Sequence, residues 1–221
     1  MNRCIKLIIF DLDGTLMDAY GAVSRSINFT MKKFGLPKLS AAMIKRTVGW
    51  GDKHLLEAFV GKAHSQKALA IYRRHHERSL RQDTKFLPGA KRVLRELRKE
   101  GYLLAVASNR PTKFSLIALR HLKIQKVFDF ILCGDKARRP KPYPDILLQI
   151  LARFKLRSDD ALYVGDMTID VQTGRRAKIR TIAVTTGSST AAELAALKPY
   201  RLIRRVDAVI PILDHMNGRA A

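Results

Sequence analysis

Four short segments of this chain carry residue types that could do chemistry together. The first is Asp11-Leu12-Asp13-Gly14-Thr15, which directly follows the apolar run Ile5 to Phe10. Two carboxylates at the end of a buried strand are costly to desolvate unless a metal or hydrogen bonds compensate them. Alternation along the strand end sends both side chains to one side, and Gly14 permits a tight turn after them. Such a pair suits phosphoryl transfer, with one carboxylate as nucleophile, the other as proton donor and a divalent cation screening carboxylate from phosphate. Taken alone, the same pair could cap a helix starting near Thr15.

The second segment is Ala107-Ser108-Asn109-Arg110-Pro111, where Pro111 can open a helix. A hydroxyl and backbone N–H groups at a helix amino end suit an anion, although Ser108 or Asn109 in isolation reads as an N-cap. In the third, Arg138-Arg139-Pro140-Lys141-Pro142-Tyr143-Pro144-Asp145, the prolines hold Lys141 where an ammonium could neutralise both a carboxylate and a phosphate oxygen. The fourth, Tyr163-Val164-Gly165-Asp166-Met167-Thr168-Ile169-Asp170, ends a strand in a carboxylate and places a second one a helical turn later. Asp166 is a hard oxygen donor of the kind Mg²⁺ prefers. Asp170 could be a further ligand, could hold Lys141, or could serve only the positive end of its own helix.

These segments need elements to position them. Short β-rich runs alternate with helical patterns, the signature of a parallel sheet with helices on both faces, so an α/β fold is expected. Strands are predicted over Ile5 to Phe10, Leu103 to Ala107, Phe128 to Cys133, Ala161 to Val164 and Thr181 to Val184, with a weaker one near Ala208. In an open parallel sheet ligands sit beyond the carboxyl ends of the strands, where all four segments fall. From Leu16 to about Phe86 no strand-like run appears, and apolar residues such as Leu55, Leu56, Phe59 and Val60 return at helical spacing. This stretch reads as a helical insertion. A helix opens after Pro88-Gly89, with Val93, Leu94 and Leu97 as its apolar stripe and Gly101 closing it. The last residues, Asn217 to Ala221, look frayed.

Bulk properties set outer limits. A chain of 221 residues that is 47% hydrophobic can bury one core and a smaller lobe. Its apolar start is too short for a signal peptide, and no run approaches the ~20 apolar residues that span a bilayer, so a soluble, cytoplasmic protein is expected. Cys4 and Cys133 both lie in apolar runs and are expected to be buried and unpaired. The net charge of +23 invites a polyanion such as nucleic acid, but the basic residues are spread along the chain, which a generally basic surface explains as well.

In this order, the four segments resemble the motifs of the haloacid dehalogenase superfamily over nearly the whole chain: Asp11-Leu12-Asp13-Gly14-Thr15, then Ser108, then Lys141, then Gly165-Asp166 with Asp170. The resemblance implies a Rossmann-like core, residues 1–16 and 85–221, with an inserted α-helical cap, residues 17–84. It implies Mg²⁺ held by the side chains of Asp11 and Asp166 and the backbone carbonyl of Asp13. Asp11 would attack phosphorus, Asp13 would act as acid and base, and Ser108, Asn109 and Lys141 would hold the phosphoryl oxygens. Asp13 also points away from the family's dehalogenase and phosphonate-cleaving branches.

A small cap after the first motif resembles that of phosphoglycolate phosphatases, which implies a small phosphorylated metabolite as substrate; monomer and homodimer both stay open. Residues 19 to 82 carry 13 Lys and Arg against Asp52, Glu57 and Glu77, a lid suited to a substrate with a second anionic group. Arg46 is the candidate contact for that group, although an ordinary surface arginine is the simpler reading. Met167, Thr168 and Arg175-Arg176 depart from the usual pattern without touching the motifs. A sugar-phosphate mutase shares the four motifs, and a phosphatase or binding protein directed at nucleic acid would use the net charge.

Overall fold

Leu7-Ile8-Ile9-Phe10 is apolar at every position, so it is stable only as a strand covered on both faces. In the computed structural model of the chain, which describes residues 5–218, it forms β1 (Leu7–Phe10) at the centre of a six-stranded sheet. Numbered in chain order, β4 (Leu103–Ser108) and β6 (Ala161–Gly165) flank β1. Beyond β4 lies β5 (Phe130–Cys133), and beyond β6 lie β7 (Arg180–Val184) and β8 (Arg201–Ile203). The order β5-β4-β1-β6-β7-β8 is parallel throughout. The chain builds outward on one side of β1 and then on the other, so the switch point lies beside β1, where a crevice opens at the strand ends.

The two-residue period sorts the core into two layers. Ile8, Phe10, Leu104, Val106, Leu162 and Val164 face one side, under α5 (Ala90–Lys99), α6 (Thr112–His121) and α10 (Val209–Met216). Leu7, Ile9, Ala105, Ala107 and Tyr163 face the other, where α7 (Asp145–Phe154) brings Ile146, Leu147 and Ile150. Each fully buried side chain of this size contributes roughly 1.5–3 kcal/mol. Within α5, Val93, Leu94 and Leu97 are the buried stripe, and Gly101 follows in the left-handed region at φ 80°, as its stop signal requires.

Between β1 and β4 the chain forms a separate helical unit. Its helices are α1 (Tyr20–Lys33), α2 (Ala41–Thr47), α3 (Asp52–Val60) and α4 (Ser65–Asp83), packed on their own apolar cluster of Val23, Ile27, Ile44, Leu56 and Tyr72 among others. The expected absence of strands here needs one correction. Met17–Asp18 (β2) and Lys85–Phe86 (β3) pair antiparallel as a two-residue ribbon where the chain leaves and rejoins the sheet unit. Strands so short carry no periodicity to detect.

Two other expectations change. The strand near Ala208 is absent; the sixth strand is Arg201–Ile203, and residues 206–216 form a 3-10 turn and α10. Buried Val206, Val209 and Leu213 follow a helical period, and Pro211 sits in the first turn, where it is tolerated. Asn217 is not frayed: its Oδ1 accepts from the Ile5 backbone at 2.8 Å, and its Nδ2 donates to the Tyr102 hydroxyl at 2.7 Å. Cys4 and residues 219–221 lie outside the described residues, while Cys133 is buried and free on β5. Among the described residues no helix is long and apolar enough to cross a membrane.

Candidate active site

In-register pairing of β1 with β4 and β6 brings Phe10 level with Val106 and Val164. Ser108, the last residue of β4, and Asp11 and Asp166, just past β1 and β6, therefore converge at one edge of the sheet. All are buried. The turn after Asp11 depends on glycine: Gly14 has φ +83°, and a Cβ there would sit 2.5 Å from Asp166 Oδ2. A Cβ on Gly187 would collide with the same carboxylate. Asp166 is further held by the Thr15 hydroxyl, which donates to Oδ1 at 3.0 Å, and by the Ser188 N–H, which donates to Oδ2 at 3.0 Å.

Lys141 is the hub. Its side chain is 2% exposed, and Nζ lies 2.9 Å from Asp11 Oδ1 and 2.7 Å from Asp170 Oδ1. It also donates to the Tyr163 hydroxyl at 3.1 Å, and that hydroxyl donates to Asp170 at 2.6 Å. Burial disfavours the ammonium, but Asp11 and Asp170 outweigh it and the net shift is upward. Asp170 opens α8 (Thr168–Arg176), and its Oδ2 accepts from the backbone N–H of Asp166 and Met167 at 3.1 and 2.9 Å. Of the roles considered for Asp170, the geometry combines two: holding Lys141 and satisfying its own helix start. Burial pushes Asp11 up to about 7 against the pull of Lys141, with a further upward push from the negative charge of Asp170. Burial and the neighbouring Asp170 and Asp11 also raise Asp166 well above the usual carboxylate range.

Carboxylate oxygens of Asp11, Asp166 and Asp170 all lie within 4.8 Å of one another. Asp170 is already engaged by Lys141, Tyr163 and two N–H groups, so Asp11 and Asp166 are the pair left to face a cation. Three buried carboxylates against one ammonium leave a negative excess, and an all-oxygen donor set fits Mg²⁺.

A cleft of about 530 Å³, mouth included, lies between the sheet edge and the helical unit. Asp11, Asp13, Ser108, Asn109 and Lys141 line its floor, while Val48, Leu55 and Tyr72 are among its walls from the helical unit. Gly165 ends β6 and does not line the cleft; a Cβ there would meet Asp170 at 2.5 Å.

Two expected contacts come out differently. The Asn109 side chain is spent on protein: Nδ2 donates to the carbonyls of Gly49 and Lys141, each at 3.0 Å, and Oδ1 accepts from the Lys141 N–H at 2.8 Å. It positions Lys141 and ties the Gly49 loop to the sheet unit, so its side chain has no capacity left for phosphate. Arg46 does not line the cleft. Its guanidinium grips Glu193 with bonds of 3.0 and 2.7 Å and donates to the Ser188 carbonyl at 3.2 Å. It is an outer strap between the helical unit and α9 (Ala191–Ala196). Asp52 is the only acidic residue and His76 the only basic type that the helical unit adds to the lining. The positive charge of residues 19–82 therefore faces outward.

Sequence reasoning missed Arg110 and His76. The Arg110 side chain is 8% exposed and bidentate on Asp13, with Nε to Oδ2 at 2.8 Å and Nη2 to Oδ1 at 2.6 Å. Its Nη1 donates to His76 Nε2 on α4 at 3.0 Å. Because a guanidinium only donates, His76 must be neutral with its proton on Nδ1, towards the Ser26 hydroxyl at 3.2 Å. Burial and Arg110 lower His76 to about 2. Tyr72 stacks on its ring at 4.7 Å and Phe114 meets it edge-on at 5.2 Å. Arg110 stood in the second motif string, but only tertiary contact shows that it faces Asp13.

The profile of haloacid dehalogenase-like hydrolases matches residues 8–184. The chain is 30% identical to a phosphoglycolate phosphatase of Nitrosospira multiformis, over 95% of this chain and 92% of that one. It is 28% identical to a phosphoglycolate phosphatase of Aquifex aeolicus, over 92% and 97% of the two chains. A haloacid dehalogenase-like family hydrolase from Streptococcus pneumoniae superposes with a TM-score of 0.85 at 25% identity, covering 94% of this chain and 98% of that chain. With its motif residues gathered at the switch point of a parallel sheet, the chain belongs to the haloacid dehalogenase-like hydrolases.

Proposed function

We propose that this chain is a Mg²⁺-dependent phosphatase that hydrolyses a small phosphate monoester of the phosphoglycolate type through an aspartyl-phosphate on Asp11. The observation that carries the reading is Asp11 paired with Lys141 at 2.9 Å on the floor of a cleft that also holds Asp13 and Ser108. The names of the relatives support the substrate class.

In this reading an Asp11 carboxylate oxygen attacks phosphorus and the ester oxygen leaves with a proton from Asp13. Asp13 then takes a proton from the water that hydrolyses the acyl phosphate. Lys141 neutralises charge on Asp11 and on a phosphoryl oxygen, and the Ser108 hydroxyl binds another. Asp11 and Asp166, with the Asp13 carbonyl, would hold Mg²⁺. When bound, the cation lowers the repulsion between carboxylate and phosphate and polarises the phosphoryl group. Asp170 and Asn109 position Lys141, while Gly14, Thr15 and Gly165 shape and support the floor. Residues 17–84 act as a cap over a catalytic unit of residues 1–16 and 85–221, closing the site to water.

The test is phosphate release with Mg²⁺ from phosphoglycolate, sugar phosphates, pyrophosphate and nucleotides. Metal-dependent turnover of a small monoester by the wild type, abolished in Asp11→Asn, is expected. No turnover of any of these by folded protein overturns the reading, and phosphoryl captured by a sugar phosphate instead of water would make the enzyme a mutase.

A further inference from the structure

The lining of the cleft contains two side chains that carry fixed positive charge, Lys141 and Arg110. Lys141 is committed to Asp11 and Asp170 at the reacting end. Arg46 is engaged outside with Glu193, and the helical unit lines the cleft with no cation, since its His76 is neutral. A substrate with a second anionic group therefore meets one guanidinium, that of Arg110.

That guanidinium already holds a carboxylate. Its fork takes both oxygens of Asp13, the geometry in which arginine binds planar carboxylates most selectively. The third nitrogen is fixed by His76, whose ring is clamped between Tyr72 and Phe114. The arrangement has a consequence for Asp13. Each of its oxygens accepts an N–H of Arg110, and a leaving ester oxygen or an incoming water must compete with that guanidinium for one of them.

We propose that Arg110 recognises a carboxylate on the substrate by exchanging it for Asp13, so that binding of the correct substrate uncovers Asp13, and that His76 positions Arg110 for the exchange. This rests on the phosphatase reading above and deepens it: the substrate class is a phosphate monoester carrying a carboxylate close to the ester. A monoester without the carboxylate leaves Arg110 on Asp13 and is turned over poorly. Discrimination is thus built into the second motif on the sheet side, with the helical unit acting through one imidazole.

The experiment compares 2-phosphoglycolate with ethyl phosphate, which lacks the carboxylate, on the Mg²⁺-loaded full chain. The quantity read is the ratio of the two kcat/KM values, in the wild type, Arg110→Met, Arg110→Lys and His76→Gln, each checked for folding by its thermal midpoint. A wild-type ratio of about 100 is expected, since a site built around a charged hydrogen-bond partner rejects analogues that lack it. Arg110→Met should collapse the ratio at least tenfold, mainly through KM for phosphoglycolate. Arg110→Lys, a charge without the fork, should retain part of it, and His76→Gln should fall between wild type and Arg110→Met. Should Arg110→Met not fold, Arg110→Lys decides, because an undiminished ratio there overturns the bidentate exchange. The proposal is also overturned if Arg110→Met lowers both substrates alike or if the wild type shows no preference. Failure of the wild type on both substrates and on p-nitrophenyl phosphate would instead remove the phosphatase reading itself.

Discussion

The cleft floor around Lys141 and the outer edge around Arg46 each hold a cation against acids from distant parts of the chain, and they are built for opposite purposes. Lys141 and Asp170 have side chains 2% and 0% exposed; Lys141 is held by Asp11, Asp170 and Tyr163, and Asp170 by Lys141, Tyr163 and two backbone N–H groups. Arg46 and Glu193 are 55% and 39% exposed. Removing one member of a buried set strands the others without solvent, whereas a surface pair exchanges its partner for water at little cost. A group that must stay in place through a reaction cycle belongs to the first kind. In the proposed cap reading, a strap between two units that part to admit substrate suits the second.

The sharpest way to break this comparison is at the floor. Asp11→Asn and Lys141→Met should each lower phosphate release by roughly 10³-fold or more, in line with losses of a nucleophile or its charge partner. Steady-state assays with Mg²⁺ read this directly, and a variant that kept most of its turnover would refute the assigned role. Asp170→Asn takes the buried charge partner from Lys141 and weakens the acceptor of the Asp166 and Met167 N–H groups, so denaturant unfolding should show a loss of about 3–5 kcal/mol.

The Arg110 and His76 contact predicts a pH effect on stability. His76 is neutral in the folded chain and stays so until about pH 2, while the unfolded chain takes up a proton near the usual 6.5. The contribution is fully present above pH 6.5 and is lost as pH falls, at up to about 1.4 kcal/mol per pH unit. His76→Gln should flatten the acid limb of the stability profile between pH 6 and 4; an unchanged slope would show that other groups cause it.

Tyr163→Phe removes a hydroxyl that gives to Asp170 and accepts from Lys141, and should cost about 1–3 kcal/mol by the same denaturant measurement. The smallest effect belongs to the strap. Glu193 is held down to about 2 by Arg46, so what the pair contributes is present above the usual glutamate value near 4.5 and lost as pH falls through about 2. Glu193→Gln should leave the thermal midpoint almost unmoved at neutral pH. A large drop would mean that the strap, and not the floor, holds the two units together.

Legibility differed from residue to residue for physical reasons. Asp11, Asp13, Ser108, Lys141 and Asp166 could be found because each follows an apolar strand or a proline-bound turn, and strand ends of a parallel sheet must meet at one edge. The five sheet strands read from the chain recur within two residues at each end. The short β2–β3 ribbon escaped because two residues have no period, and the apolar run after Val206 was ambiguous until its helical spacing was resolved by packing. The sequence points to Arg46 and passes over Arg110, because nothing local separates the two. Both are arginines beside a turn, and which one faces the cleft depends on how the helical unit docks on the sheet.

The sequence by itself determined the sheet, the edge at which its carboxylates gather and the family to which the motifs belong, because these follow from local periodicity and spacing along the chain. Only the tertiary structure decided which donors are left free. It turned Asn109 from a phosphate ligand into a brace for Lys141, sent Arg46 outward to Glu193, and set Arg110 and His76 over Asp13. Hydrogen-bond capacity is finite, and its allocation depends on contacts between residues far apart in the chain, which no spacing rule encodes.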